Sequence, residues 1–347
     1  MEVLNLTSRK RETYDVQVKY SILFECALGI AAITNTGLID TLEKSPSEWE
    51  EIRQLLSTEM IEHLHFVEKH NTWKALLQLL YQEDFTDLPA FNQYINSLLE
   101  EDFKYICIPF VGHKYQEMRK NAANGEIETV RELQEITSSN PFFPAYIDFI
   151  CKVDIKMLKE HLIAVMTGWY EAVIEPEGEK LSFILKQDYE TKCQLNEKMQ
   201  AEEFVEWATG GVTYFPEPSV HHVLLIPQYT YRPWNIEADI ENTKIFHYPI
   251  ANESIHPEDP YEPSYFLVHK HKALGDEARL RIVKLLFEKN RTLQEITEQL
   301  NLGKSTIHHH LKILRSAKLV DIQDAKYILK KKALEAISKE LEFYLNR

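Results

Sequence analysis

Lys304-Ser305-Thr306-Ile307-His308-His309-His310-Leu311-Lys312-Ile313-Leu314 is the stretch on which the fold turns. Ile307, Leu311 and Leu314 fall at i, i+4 and i+7, so a helix over 304–317 lays them along one buried stripe. The same helix turns Lys304, Ser305, His308, His309 and Lys312 outward and leaves Thr306 near the edge. Short polar side chains open it, which suits a helix whose first turn lies among base edges in the DNA major groove. Lys312 and Arg315 come later and suit phosphate. Successive residues of a helix point ~100° apart, so the three histidines cannot converge on one metal ion.

Working outward, Asn301-Leu302-Gly303 is a tight turn, and Gly303 accommodates a positive φ there if one is needed. Thr292 opens a preceding helix that turns Leu293, Ile296 and Leu300 inward. Asp276 is placed to cap a longer helix with Leu280, Ile282, Val283, Leu285 and Leu286 on its core face. A short helix over 266–274 comes first, with His269, Lys270, His271 and Lys272 on its polar side. On the C-terminal side, 320–323 and 326–329 flank Asp324-Ala325 as a short β-hairpin. Lys326 and Lys330 are read as phosphate contacts, and an amphipathic helix through Leu334, Ile337, Leu341 and Leu345 closes the chain. Helix, helix, turn, helix and hairpin is the order of a winged helix-turn-helix, so double-stranded DNA is the expected partner.

These residues resemble the ArsR family of bacterial transcriptional regulators. The resemblance rests on Ala273-Leu274-Gly275-Asp276, on Arg279-Leu280-Arg281-Ile282 and above all on the stretch from Lys304 to Leu314, and covers about a quarter of the chain. It implies a homodimer paired through the first and last helices of the module, bound to an imperfect palindrome. Three features depart from the family. Gly303 stands where a Ser cap is usual, the hairpin lacks the usual Arg and Gly, and the metal-sensing residues are missing. The helix before the turn, Thr292-Leu293-Gln294-Glu295-Ile296-Thr297, holds no Cys, and the last helix holds no His. Metal sensing at either family site is therefore not expected, and no cofactor is. More loosely, Leu225-Ile226-Pro227 and Arg232-Pro233-Trp234 resemble a Gram-positive subgroup with a long helical N-terminal region.

Charge is distributed accordingly. The 347 residues carry a net −15, but from 265 to the end 12 Lys and 5 Arg face 10 Asp and Glu, a balance of +7 that leaves −22 for residues 1–264. An acidic body with a basic end suits a protein that meets phosphate with that end alone. The four cysteines, Cys26, Cys107, Cys151 and Cys193, form no CxxC pair, which points to reduced thiols in a cytoplasmic protein. Met1 to Leu6 shows no secretory pattern. The apolar stretch 20–39 carries Glu25 inside it, and a charge there argues for a buried core helix and against a membrane span.

The expected fold is therefore mainly α. A large helical N-terminal domain over 1–260 carries a small β-hairpin near 220–250, and a winged helix-turn-helix spans 265–347. The boundary is set by His256 to Pro263, with three prolines in its last seven residues. In the N-terminal domain, Glu62, His63, His65, Glu68 and His70 are read as a solvated helix, because only some of them share a face. Tyr231, Arg232 and Trp234 are read as candidates for binding a small-molecule effector, Arg232 pairing an anion and Trp234 stacking. No P-loop, GxGxxG, HExxH or GxSxG occurs, so no enzyme activity is expected. The functional expectation is a DNA-binding repressor; the alternative is a protein-interaction module that uses the same fold without DNA.

Overall fold

A computed structural model describes residues 13–197, 199–259 and 261–345. The reading of Met1 to Leu6 lies outside these, as do Pro260 and Arg347. The chain divides into two compact units, one formed by 1–201 with 215–250 and the other by 202–214 with 251–347.

The first unit is built around one helix. Strand β1 (Asp15–Val18) leads into α1 (Ile22–Thr34), capped by Ser21, whose hydroxyl accepts the Leu23 N–H at 3.2 Å. Every residue from Leu23 to Ile33 is buried. A helix apolar on all sides must be enclosed, and α2 (Thr58–His70), α3 (Trp73–Leu80) and α4 (Ile155–Trp169) pack around it. Trp169 lies so close that a Cβ on Gly29 would stand 2.6 Å from its indole nitrogen. No helix among the described residues is long and apolar enough to cross a membrane. The charge inside α1 is satisfied locally: Glu25 accepts the backbone N–H of Tyr229 at 2.6 Å and of Thr230 at 3.0 Å, and the Thr230 hydroxyl at 2.6 Å. Burial raises its carboxyl above the ordinary value, and those three bonds oppose the rise.

Strands β2 (His222–Gln228), β3 (Ile236–Ile240) and β4 (Thr243–Pro249) complete a mixed sheet of order β1-β2-β4-β3. The segments expected as a hairpin near 220–250 do pair, Leu224 with Ile245, but they run parallel. The hairpin is instead β3 with β4, turning at Asn242 in left-handed backbone (φ 61°). Because β3 runs back between them in sequence, β4 must re-enter in the direction of β2. The long helix α5 (Gly178–Asn196) packs on β1 and β2.

The second unit contains α6 (Ala201–Ala208) from Glu202 onward, then α7 (Tyr265–Leu274), α8 (Glu277–Glu288), α9 (Leu293–Leu300) and α10 (Lys304–Ser316). Strands β5 (Val320–Gln323) and β6 (Lys326–Leu329) form an antiparallel hairpin before α11 (Lys331–Leu345). Its core joins Ile282 and Leu286 of α8, Ile296 of α9, Ile307, Leu311 and Leu314 of α10, and Tyr327 of β6. Thus 202–214, which sequence reading left with the body, belongs to this unit, and the proline-rich segment lies inside it. Gly210 explains the fit of that segment. It has φ +68°, and a Cβ there would fall 2.1 Å from the ring of Phe266.

Candidate nucleic-acid interface

The turn that aims α10 is specified locally. Thr292 caps α9 in a reciprocal box, its hydroxyl accepting the Glu295 N–H at 3.3 Å while the Glu295 carboxylate accepts the Thr292 N–H at 2.7 Å. The helix ends at Asn301 in left-handed backbone (φ 51°), a conformation Asn tolerates. Gly303, where sequence reading allowed a positive φ, has φ −59° and caps α10 without a side chain. Asp276 caps α8 as expected, accepting the Arg279 N–H at 3.0 Å. That bond, foremost, holds its carboxyl below the ordinary value.

On α10, Ile307, Leu311 and Leu314 are buried. Lys304, Ser305, Thr306, His308, His309, Lys312 and Arg315 are exposed, and the structure brings them together on one helix. His310 is half-buried, its Nδ1 3.9 Å from the Asp276 carboxylate. Lys326 is exposed on β6, beside a two-residue turn in which Asp324 and Ala325 both have positive φ. The wing is pinned to the body of the module by Arg291 and Tyr327, which exchange backbone bonds of 3.2 and 2.7 Å.

Lys330 departs from its expected role. Its ammonium is half-buried and donates to the Gly211 carbonyl, so it is engaged by the 202–214 segment and not offered to phosphate. Burial lowers its pKa, while Glu206 and Asp321 nearby oppose that shift. Other cations counted in the basic balance are also committed to the fold. Lys270, expected on the polar side of α7, is buried and pairs with Glu340 at 2.5 Å. The Arg279 guanidinium donates to the carbonyls of Ala273 (2.6 Å) and Lys272 (3.1 Å), closing the last turn of α7. Arg291 is buried against Glu288 at 3.3 Å. A signal for Lys270 was available, since Leu267, Lys270 and Ala273 recur every third residue on one buried face. Leu280, expected in the core, is 51% exposed.

The candidate effector residues in the first unit are engaged by partners within the fold. Tyr231 is buried, with its N–H donating to the Gln228 side chain at 2.6 Å. Arg232 is buried and paired with Glu43 at 2.9 Å. The Trp234 indole donates to the Thr41 hydroxyl at 3.0 Å. Buried Gln228 also donates to the Trp234 carbonyl at 2.9 Å. Glu25 on one side and Gln228 on the other hold the backbone of this loop, and Tyr231 and Trp234 pack against the core. Of the histidine-rich helix, Glu62, His65 and Glu68 are exposed as expected, but His63 Nδ1 lies 2.8 Å from Nδ1 of buried His161. Among the described residues, no three His, Cys, Asp or Glu side chains group as a metal ion would require.

A helix-turn-helix with a pinned hairpin and a polar, basic outer face on its third helix is a winged-helix DNA-binding module. Residues 276–321 match the family model described as bacterial regulatory protein, arsR family, in agreement with the resemblance noted above. The chain thus carries a domain of DNA-binding transcription regulators at its C-terminal end, with a helical region before it. No curated protein and no solved structure matches it.

Proposed function

We propose that this chain is a cytoplasmic transcriptional repressor without catalytic activity, which binds a palindromic operator as a homodimer and releases it when the first unit receives a signal. The observation that supports this most is the outer face of α10, where Lys304, Ser305 and Thr306 open the helix and Lys312 and Arg315 follow, all exposed. In this reading the first three reach base edges, while Lys312, Arg315 and Lys326 neutralise phosphates. A dimer places two such helices one DNA turn apart, ~34 Å, and a signal that alters this spacing ends binding.

The test is binding to the DNA upstream of the protein's own gene and to unrelated DNA, at two salt concentrations. A specific complex that weakens steeply with salt is expected, since each phosphate contact contributes a slope of about one in log–log form. Replacing Lys304→Ala together with Ser305→Ala should remove the preference for the operator and leave weak general binding. Full discrimination in that variant would sink the assignment of α10. If the intact protein forms no specific complex there and genome-wide selection recovers no preferred sequence either, the protein-interaction alternative replaces this one.

A further inference from the structure

The first unit holds a cavity of about 350 Å³ where β1 runs into α1. This lies at the lower end of the range for small-molecule sites, about 300–1,000 Å³. Tyr20, Phe24, Phe85 and Tyr189 supply its apolar wall. The rings are held from behind. Tyr20 and Tyr189 lie 4.9 Å apart, Phe24 meets the His247 ring edge-on at 5.3 Å, and Phe85 meets Phe91 edge-on at 5.1 Å. The backbone is fixed as well, with the Lys19 N–H donating to the Leu225 carbonyl of β2 at 3.0 Å. In parallel sheets, the loop from the end of a strand to the following helix is a recurrent ligand position.

The wall also carries both signs of charge. Lys19 forms an ion pair with Asp84, and Glu83 stands beside them. The Lys19 side chain is 28% exposed and that of Asp84 81%. An ion pair so open to water contributes at most about 1 kcal/mol, so a ligand bearing the same two charges can replace each partner with little loss. A simple amine would bring its charge to Lys19 without compensation, and a simple carboxylate would face Glu83 and Asp84. A zwitterion answers both.

We propose that this cavity binds a free α-amino acid with an aromatic or long apolar side chain. Its carboxylate pairs with Lys19, its ammonium pairs with Asp84 and Glu83, and its side chain lies on the Tyr20–Phe85 wall. The α1 N-terminus, which opens on the same space through Ser21, adds a partial positive charge on the carboxylate side. The assignment rests on the first unit being the signal-receiving part of the proposed regulator, and names the class of signal.

The experiment is calorimetric titration of the intact chain without DNA, so failure of the ligand site is read separately from failure of operator binding. The probes are L-phenylalanine, L-tryptophan, L-leucine and L-methionine, with phenethylamine and 3-phenylpropionate as ligands lacking one charge. At least one amino acid should bind, and the single-charge ligands should bind at least about tenfold more weakly, as loss of one charge-assisted hydrogen bond implies. Lys19→Met should weaken the amino acid about tenfold without weakening phenethylamine, which is freed of a like charge; Glu83→Gln with Asp84→Asn should weaken the amino acid similarly without weakening 3-phenylpropionate. The proposal is overturned if none of the four binds up to about 10 mM, or if either single-charge ligand binds as well as the amino acid. That comparison uses the unaltered protein and holds even if a variant fails to fold.

Discussion

At the scale of the residue, the chain places its costliest groups where each has an answer. Glu25 is a carboxylate buried in the first turn of an otherwise apolar helix, tolerable because three donors from Tyr229 and Thr230 meet it. Its presence argued against a membrane span from sequence alone, but its partners lie more than 200 residues away in the chain and left no sequence signal. Gly29 is the reverse case, a residue chosen for absence of bulk. Gly29→Ala should destabilise the first unit by roughly 1–3 kcal/mol, because a methyl group there meets the Trp169 ring at under 3 Å and neither backbone nor indole has room to yield. Urea unfolding of the two proteins checks this; equal midpoints would mean that Trp169 moves freely. Arg232 teaches a similar lesson. Its neighbours suggested a ligand clamp, whereas burial beside Glu43 makes it part of the fold.

At the scale of the element, legibility followed locality. Helices α8, α9 and α10, their caps and the wing were readable because their signals lie within a few residues: Asp276 before α8, the Thr292–Glu295 box, and the i, i+4, i+7 stripe of α10. The exposed side chains of α10 followed directly. The direction of β4 was not readable, since it depends on β3, which alternates apolar and polar residues over only five positions, Ile236–Ile240, too short a run to stand out. The commitment of Lys330 to Gly211 depends on a contact spanning 119 positions. Two elements carry a pH consequence. His161 on α4 and His247 on β4 are buried, and burial lowers the pKa of each to about 3. The unfolded chain takes up a proton on each near the ordinary 6.5, but the folded chain does so only near 3. Their contribution to stability is therefore complete above about pH 6.5 and is lost progressively as pH falls toward 3. Between pH 7.5 and 5.5 the loss should be about 1 kcal/mol per histidine, and His247→Gln should reduce it by about half. A pH-independent urea midpoint across that range would contradict the burial of both rings.

At the scale of the whole molecule, the chain passes from one unit to the other at 201/202, at 214/215 and again at 250/251. The second unit is consequently assembled from two separated pieces. Glu202–Tyr214 supplies Gly210 beneath Phe266, Gly211 against Lys318 and Lys330, and Glu206 near that same lysine. A fragment starting at Ala251 should melt at lower temperature than the same unit in the intact chain, and a synthetic peptide spanning 202–214 should raise its melting temperature. No effect of the peptide would show that this segment contributes nothing to the unit it joins.

This threaded connectivity bears on how the protein can be recombined. A chimera that grafts 265–347 onto another protein, as a cut at the proline-rich segment would suggest, leaves both 202–214 and 251–264 of the second unit behind in the donor. Lys330 then loses the carbonyl that holds it and becomes one more cation available to any nearby polyanion. Such hybrids should hold nucleic acid less selectively, and a faithful transplant requires both pieces of chain to travel together.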